Sequence, residues 1–102
     1  MSEKQQLLLY LIARYPFLRE IYQLVKVFDR ASFPAEVSVN LEPLIKERLI
    51  EVGELFDNNT PKNYRTTEKG LEYVNKTIKV DSLIQYVKTL DDPSQLLMAL
   101  KD

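Results

Sequence analysis

The side chains that most often do chemistry are missing from this sequence. It contains no cysteine and no histidine. Thiolate nucleophiles, disulfides and thiolate metal sites are therefore excluded, and so are the commonest general base and the commonest metal ligand. The carboxylates are scattered along the chain, and Gly53 and Gly70 are too few and too far apart for a phosphate-cradling loop. No nucleophile–base pair of the usual kind can be assembled. A lysine working with a carboxylate is the only enzymatic chemistry left, and it ranks far below binding. The expectation is a non-enzymatic protein with no cofactor and no metal. A cytoplasmic location fits the missing cysteines.

What remains for function is the placement of charge and amide groups. The formal net charge is -1 over 102 residues, so no overall field draws the protein to nucleic acid or acidic lipid. Locally the balance is uneven. Residues 1–30 carry Lys4, Arg14, Arg19, Lys26 and Arg30 against Glu3, Glu20 and Asp29. Residues 31–61 are acidic, with only Lys46 and Arg48 as cations. Residues 62–80 are basic again, with Lys62, Arg65, Lys69, Lys76 and Lys79, and residues 81–102 are mildly acidic.

The elements that must position these groups follow from apolar spacing. Leu7, Leu8, Leu11, Ile12 and Tyr15 recur at three- and four-residue steps, which predicts a helix over 3–15 capped by Ser2 and stopped before Pro16. The apolar run from Leu7 to Ala13 is too short to span a bilayer, and no small-residue cleavage site follows it. Phe17, Leu18, Ile21, Leu24, Val25 and Phe28 stripe a second helix over 17–30. Two readings stand for the next segment. Ser32 and Pro34 open a kinked helix over 34–48, or Asn40 caps a shorter helix over 41–49 with Pro43 in its first turn. Residues 50–56 alternate as a strand, Asp57 to Asn63 are turn formers, and Tyr64-Arg65-Thr66 returns as a second strand. Thr67 caps a helix over 68–79, Asp81 caps another over 82–90 (or the two are continuous), and 94–101 form a last short helix. The fold class is mainly α with a small antiparallel β-hairpin, with 45% hydrophobic residues for one core.

Two segments carry a likeness to a known superfamily. Leu44-Ile45-Lys46-Glu47-Arg48-Leu49-Ile50 is similar to the Leu-x-x-x-Gly-Leu-Ile segment that leaves the recognition helix of winged-helix regulators. Tyr64-Arg65-Thr66-Thr67-Glu68-Lys69-Gly70 is similar to the Tyr-x-Leu-Thr-x-x-Gly segment that closes their wing. Tyr64 can pack on the core, Thr67 can cap the new helix, and Gly70 permits close approach of a neighbouring element. The chain thus resembles a winged-helix domain over residues 1–80, with 81–102 as a C-terminal helical extension of the same domain. One departure is Arg48, which stands where the superfamily usually has glycine. A left-handed turn there costs arginine about 1 kcal/mol more than glycine.

The resemblance implies a transcriptional regulator that binds double-stranded DNA, with the third helix in the major groove and the hairpin on the flanking backbone. Ser38, Asn40 and Lys46 are the candidates on the helix. On the wing, Lys62 and Arg65 would hold phosphates, and Asn59 and Asn63 would reach sugars or a groove edge. The plainer alternative is that Asp57 to Asn63 is a solvated turn. Arg14, Arg19, Lys26 and Arg30, and likewise Lys69, Lys76 and Lys79, read more simply as solvated faces. A second function is a protein-interaction module, with Phe33, Phe56 and Tyr73 as contacts. It suits the acidic third helix of Glu36, Glu42 and Glu47, because carboxylates repel phosphate. The apolar residues Leu83, Ile84, Val87, Leu90, Leu96, Leu97, Met98 and Leu100 exceed what one domain edge needs. They suggest a homodimer through residues 81–101, or else a fold-back onto the first helix.

Overall fold

The computed structural model describes residues 1–30 and 37–101. In chain order the elements are α1 (Glu3–Arg14), a 3-10 turn (Pro16–Arg19), α2 (Ile21–Arg30), α3 (Val37–Lys46), β1 (Ile50–Val52), β2 (Tyr64–Thr66), α4 (Glu68–Lys76), α5 (Val80–Val87) and α6 (Ser94–Lys101). The protein is mainly helical with one two-stranded antiparallel hairpin.

Helix α1 is the centre of the core. The Ser2 hydroxyl accepts from the Gln5 N–H, and the Gln5 side-chain oxygen accepts from the Ser2 N–H, so two orphan donors of the first turn are satisfied reciprocally. Leu7, Leu8, Leu9, Leu11 and Ile12 are all buried. Such a wide apolar face needs partners on several sides, and α1 packs against α3, α4, α5, the 3-10 turn and β2. No helix among the described residues is long and apolar enough to cross a membrane.

The expected second helix over 17–30 is two pieces. Residues 16–19 form a 3-10 turn, Glu20 is extended (φ -80°, ψ 131°), and α2 begins at Ile21. The break has a cause in the hairpin. Glu20 forms an isolated antiparallel bridge with Asn63, and the Ile21 N–H donates to the Lys62 carbonyl at 2.9 Å. The backbone at residues 20–21 is thus committed to the sheet and cannot continue a helix.

Helix α3 begins before Asn40, so Asn40 lies within the helix and is not its cap. Ser32, Phe33 and Pro34 lie outside the described residues. Pro43 sits inside α3. The N–H it lacks would have bonded to the carbonyl of Val39, a residue 66% exposed, where water can replace the lost donor. The helix closes with Arg48 at φ 60°. The Leu49 N–H reaches back to the Leu44 carbonyl at 2.9 Å and the Arg48 N–H to that of Ile45 at 3.0 Å. This double return is the Schellman arrangement, with arginine in the left-handed position that glycine usually fills.

Strand β1 is shorter than the expected 50–56. Ile50 pairs with Thr66, Glu51 with Arg65 and Val52 with Tyr64. Beyond Val52 the pairing becomes irregular, because the Asn63 side chain takes over a ladder position and accepts the Glu54 N–H at 2.8 Å. Leu55 bridges Pro61, and the Phe56 N–H donates to the Thr60 carbonyl, so the hairpin stays closed to its tip. At its base, Tyr64 is buried in the core, and burial pushes its phenol above the ordinary value.

Thr67 caps α4 by accepting the Gly70 N–H at 3.0 Å, while its own hydroxyl donates to the Arg48 carbonyl at 2.6 Å. Gly70 lies under the Leu49 carbonyl, and a Cβ there would collide with that oxygen. Helix α4 stops at Lys76, three residues short of expectation. Helix α5 starts at Val80, so Asp81 lies in its first turn and Lys79 holds the cap position. The two are separate helices. Leu83, Val87, Leu96 and Leu100 are buried in the common core, with α5 against α1 and α6 against α5. The apolar surplus of residues 81–101 is largely accounted for by this fold-back.

Candidate nucleic-acid interface

The end of α3 and the hairpin form one continuous surface. Ile45 and Arg48 share a shallow groove with Glu51 and Val52 of β1 and with Glu68 and Lys69 of α4. Two clamps hold the end of α3 against α4. One is the Thr67 hydroxyl on the Arg48 carbonyl; the other is the Lys69 ammonium on the Glu47 carbonyl at 2.8 Å. The second is favourable because the last carbonyls of a helix carry partial negative charge. On the other side, the hairpin is tied to α2 through Glu20 and Ile21 and through a tilted contact of the Phe56 and Tyr22 rings, with centroids 5.6 Å apart. Helix α3 and the hairpin are therefore presented by a single braced unit.

The expected contact residues fall into different conditions on this unit. Ser38 and Asn40 lie on α3. Asn40 is half-buried and already has a partner, and the Ser38 side chain is not described. Lys46 is exposed near the C-terminus of α3, 4.0 Å from Glu42 one turn earlier. Asn59 is exposed at the hairpin tip with φ 67°, the left-handed conformation that asparagine tolerates. Asn58 supports it by accepting from both the N–H and the hydroxyl of Thr60. Lys62 is half-buried at the foot of the returning strand, and its carbonyl accepts the Ile21 N–H. Asn63 is engaged in holding the hairpin: besides accepting from the Glu54 N–H, its amide donates to the Glu54 carboxylate at 3.1 Å. Arg65 pairs across the strands with Glu51 at 3.3 Å, both side chains being more than half exposed. Lys46, Asn59, Lys62 and Arg65 thus stay at or near the surface, whereas Asn63 has a structural task.

Several other cations are occupied. Arg19 donates to the Ile12 carbonyl at 2.9 Å and the Ala13 carbonyl at 3.3 Å, capping the end of α1. Arg14 donates to Asn75 and lies 5.7 Å over the Tyr10 ring. Lys76 pairs with Glu72. Of the expected protein contacts, Phe56 is half-buried against Tyr22 and Tyr73 is half-buried, while Phe33 lies outside the described residues. Two features of the surface were not expected from the sequence. Arg48 is exposed between α3 and the hairpin, a cation added where glycine was expected. Val39 and Ile45 are exposed apolar side chains on α3. The departure at Arg48 was a visible signal for the first. Ile45 recurs with Leu41, Leu44 and Leu49 at helical spacing, which marks all four as an inward face, yet Ile45 is exposed while the other three are buried; Val39 is no part of that stripe.

Comparison with family models, with curated proteins and with solved structures finds no match.

Proposed function

We propose that this protein is a DNA-binding transcriptional regulator of the winged-helix type, with α3 entering the major groove and the hairpin lying on the flanking backbone. The observation that carries the reading is the braced unit itself: a helix that runs through one left-handed residue into a hairpin whose return strand is bridged to the start of the preceding helix. That bridge at Glu20 ties the return of the hairpin to the chain between α1 and α2, which supports reading the hairpin and α3 as one presented unit. Lys46, Arg48, Lys62 and Arg65 are the cations available to phosphates, and Asn59 at the tip is placed for a sugar or groove edge. The ion pairs of Lys46 and Arg65 do not forbid this role. Exposed pairs are worth about 0–1 kcal/mol, so a phosphate can replace the carboxylate.

A second reading, docking of a protein partner, is favoured by the make-up of the same face. Across residues 37–66 the cations Lys46, Arg48, Lys62 and Arg65 are outnumbered by Glu42, Glu47, Glu51, Glu54 and Asp57. Val39 and Ile45 add exposed apolar surface on α3. Binding to mixed-sequence duplex DNA across a salt series separates the two. A regulator binds weakly at low salt, with log affinity falling linearly against log salt. The Lys62→Ala and Arg65→Ala changes together then flatten that slope by about one unit for each phosphate that is no longer neutralised. Absence of binding at low salt rules out the DNA reading and leaves the adaptor. A homodimer would further give two half-sites.

A further inference from the structure

Between the start of α1, the end of α3 and α4 lies a pocket of about 410 Å³. That is within the range of about 300–1,000 Å³ that small-molecule sites occupy. Pro43, Leu44, Leu49 and Tyr73 supply its apolar walls, and Glu47 and Lys69 bring opposite charges to it. Met1 and Gln5, also on its wall, add no side-chain charge. The two charges stand close together without neutralising each other. The Lys69 ammonium donates to the backbone carbonyl of Glu47 at 2.8 Å. Among the described residues, neither that ammonium nor the Glu47 carboxylate makes an ion pair. Other charges nearby are already matched, Glu42 by Lys46 and Glu72 by Lys76.

We infer that this pocket binds a free α-amino acid with an apolar side chain. The ligand's carboxylate meets the Lys69 ammonium, its ammonium meets the Glu47 carboxylate, and its side chain lies on Pro43, Leu44, Leu49 and Tyr73. The charge pattern selects this class. A simple acid is drawn by Lys69 and repelled by Glu47, and a simple amine meets the reverse. A molecule with both charges on adjacent groups satisfies both, and in an α-amino acid the two flank a single carbon. The last carbonyls of α3 carry partial negative charge, which favours the ligand's ammonium at that end. The apolar walls offer a polar side chain no partner, so burying one there is unfavourable. Lys69 also clamps the end of α3, so a bound carboxylate competes with the Glu47 carbonyl for the same ammonium. Occupancy of the pocket is thereby felt by the third helix. The site itself is independent of DNA binding.

Chemical-shift titration of the isotope-labelled full chain with L-phenylalanine and L-leucine tests it. Each amino acid is expected to give saturable shifts at the amides of Leu49, Lys69 and Tyr73. Phenylpropionate lacks the ammonium and phenethylamine lacks the carboxylate. Each is expected to bind about fivefold more weakly than phenylalanine, the scale of one partly exposed charge pair. Glu47→Gln leaves in place the carbonyl that Lys69 clamps. It is expected to weaken phenylalanine by about the same factor and to leave phenylpropionate no weaker. Lys69→Met is expected to weaken phenylalanine likewise and to leave phenethylamine no weaker. The spectra of the unliganded variants report whether the fold is kept. Absence of saturable shifts with both amino acids overturns the inference. Equal affinity for phenylalanine and both analogues does so too, since the pocket is then merely apolar, as does a Glu47→Gln protein that binds phenylalanine undiminished. The DNA salt series is scored separately, so a protein that binds phenylalanine but no duplex DNA keeps this site and loses the regulator.

Discussion

Arg48 keeps a left-handed backbone, φ 60°, at the joint between the third helix and the hairpin. An L-residue with a Cβ is disfavoured there by about 1 kcal/mol relative to glycine. The position is nevertheless imposed on it, because the Leu49 and Arg48 N–H groups must both turn back to the helix and the Arg48 carbonyl must meet Thr67. Arg48→Gly is therefore expected to stabilise the fold by about 1 kcal/mol, offset in part by the greater freedom of glycine in the unfolded chain. In a domain of this size the full gain corresponds to a rise of roughly 4–8 °C in melting temperature. A thermal melt monitored by circular dichroism measures it, and a fall in melting temperature would mean that the guanidinium contributes more than the strain removes. The same substitution deletes one of four cations on the proposed interface, so a gain in stability joined to a loss in DNA affinity would mark Arg48 as retained for binding. This residue was legible in the sequence as an oddity, because glycine is what the turn requires. Its exposure was not, since that depends on how α4 docks.

At the level of elements, the closure of the hairpin was the most readable part. Tyr64, Thr67 and Gly70 perform the packing, capping and close approach that their types and spacing predict. The breaks were less readable. Nothing local in Arg19-Glu20-Ile21 ends a helix; the interruption comes from a pairing with residues 62 and 63, more than forty positions away. The early end of β1 likewise depends on a side chain, Asn63, replacing a backbone partner. The two glycines differ in what surrounds them. A Cβ at Gly70 meets the Leu49 carbonyl, which is backbone, whereas one at Gly53 meets the end of the Asn63 side chain, which can rotate away. Gly70→Ala is expected to destabilise by about 1–3 kcal/mol through overpacking against a fixed atom, and Gly53→Ala by less. Chemical denaturation of both variants checks the order. Equal losses would mean that the Asn63 amide is held as firmly as the backbone.

For the whole molecule, the sequence disclosed the class of fold and left the role of residues 81–101 open between a dimer surface and a fold-back. Periodicity marks which residues are apolar, not whether the partner face lies in the same chain. The structure puts Leu83, Val87, Leu96 and Leu100 in one cluster with Leu8, Ile12 and the other core residues. Each such side chain is worth about 1.5–3 kcal/mol when buried, so the four together contribute about 6–12 kcal/mol. That is comparable with the entire net stability of a small domain, about 5–15 kcal/mol. Residues 1–80 alone would also expose the side of α1 on which α5 packs. A chain ending at Val80 is therefore expected to lose its cooperative thermal transition and to bind a hydrophobic dye, even though every element of the proposed DNA interface is still encoded in it. A sharp melt for residues 1–80 would instead mean that α5 and α6 merely cover a core already complete, and their buried leucines would then need another explanation. The expected failure ties binding to the extension through stability: α3 and the hairpin are held in place by α1, and α1 is fully covered only when α5, backed by α6, closes over it.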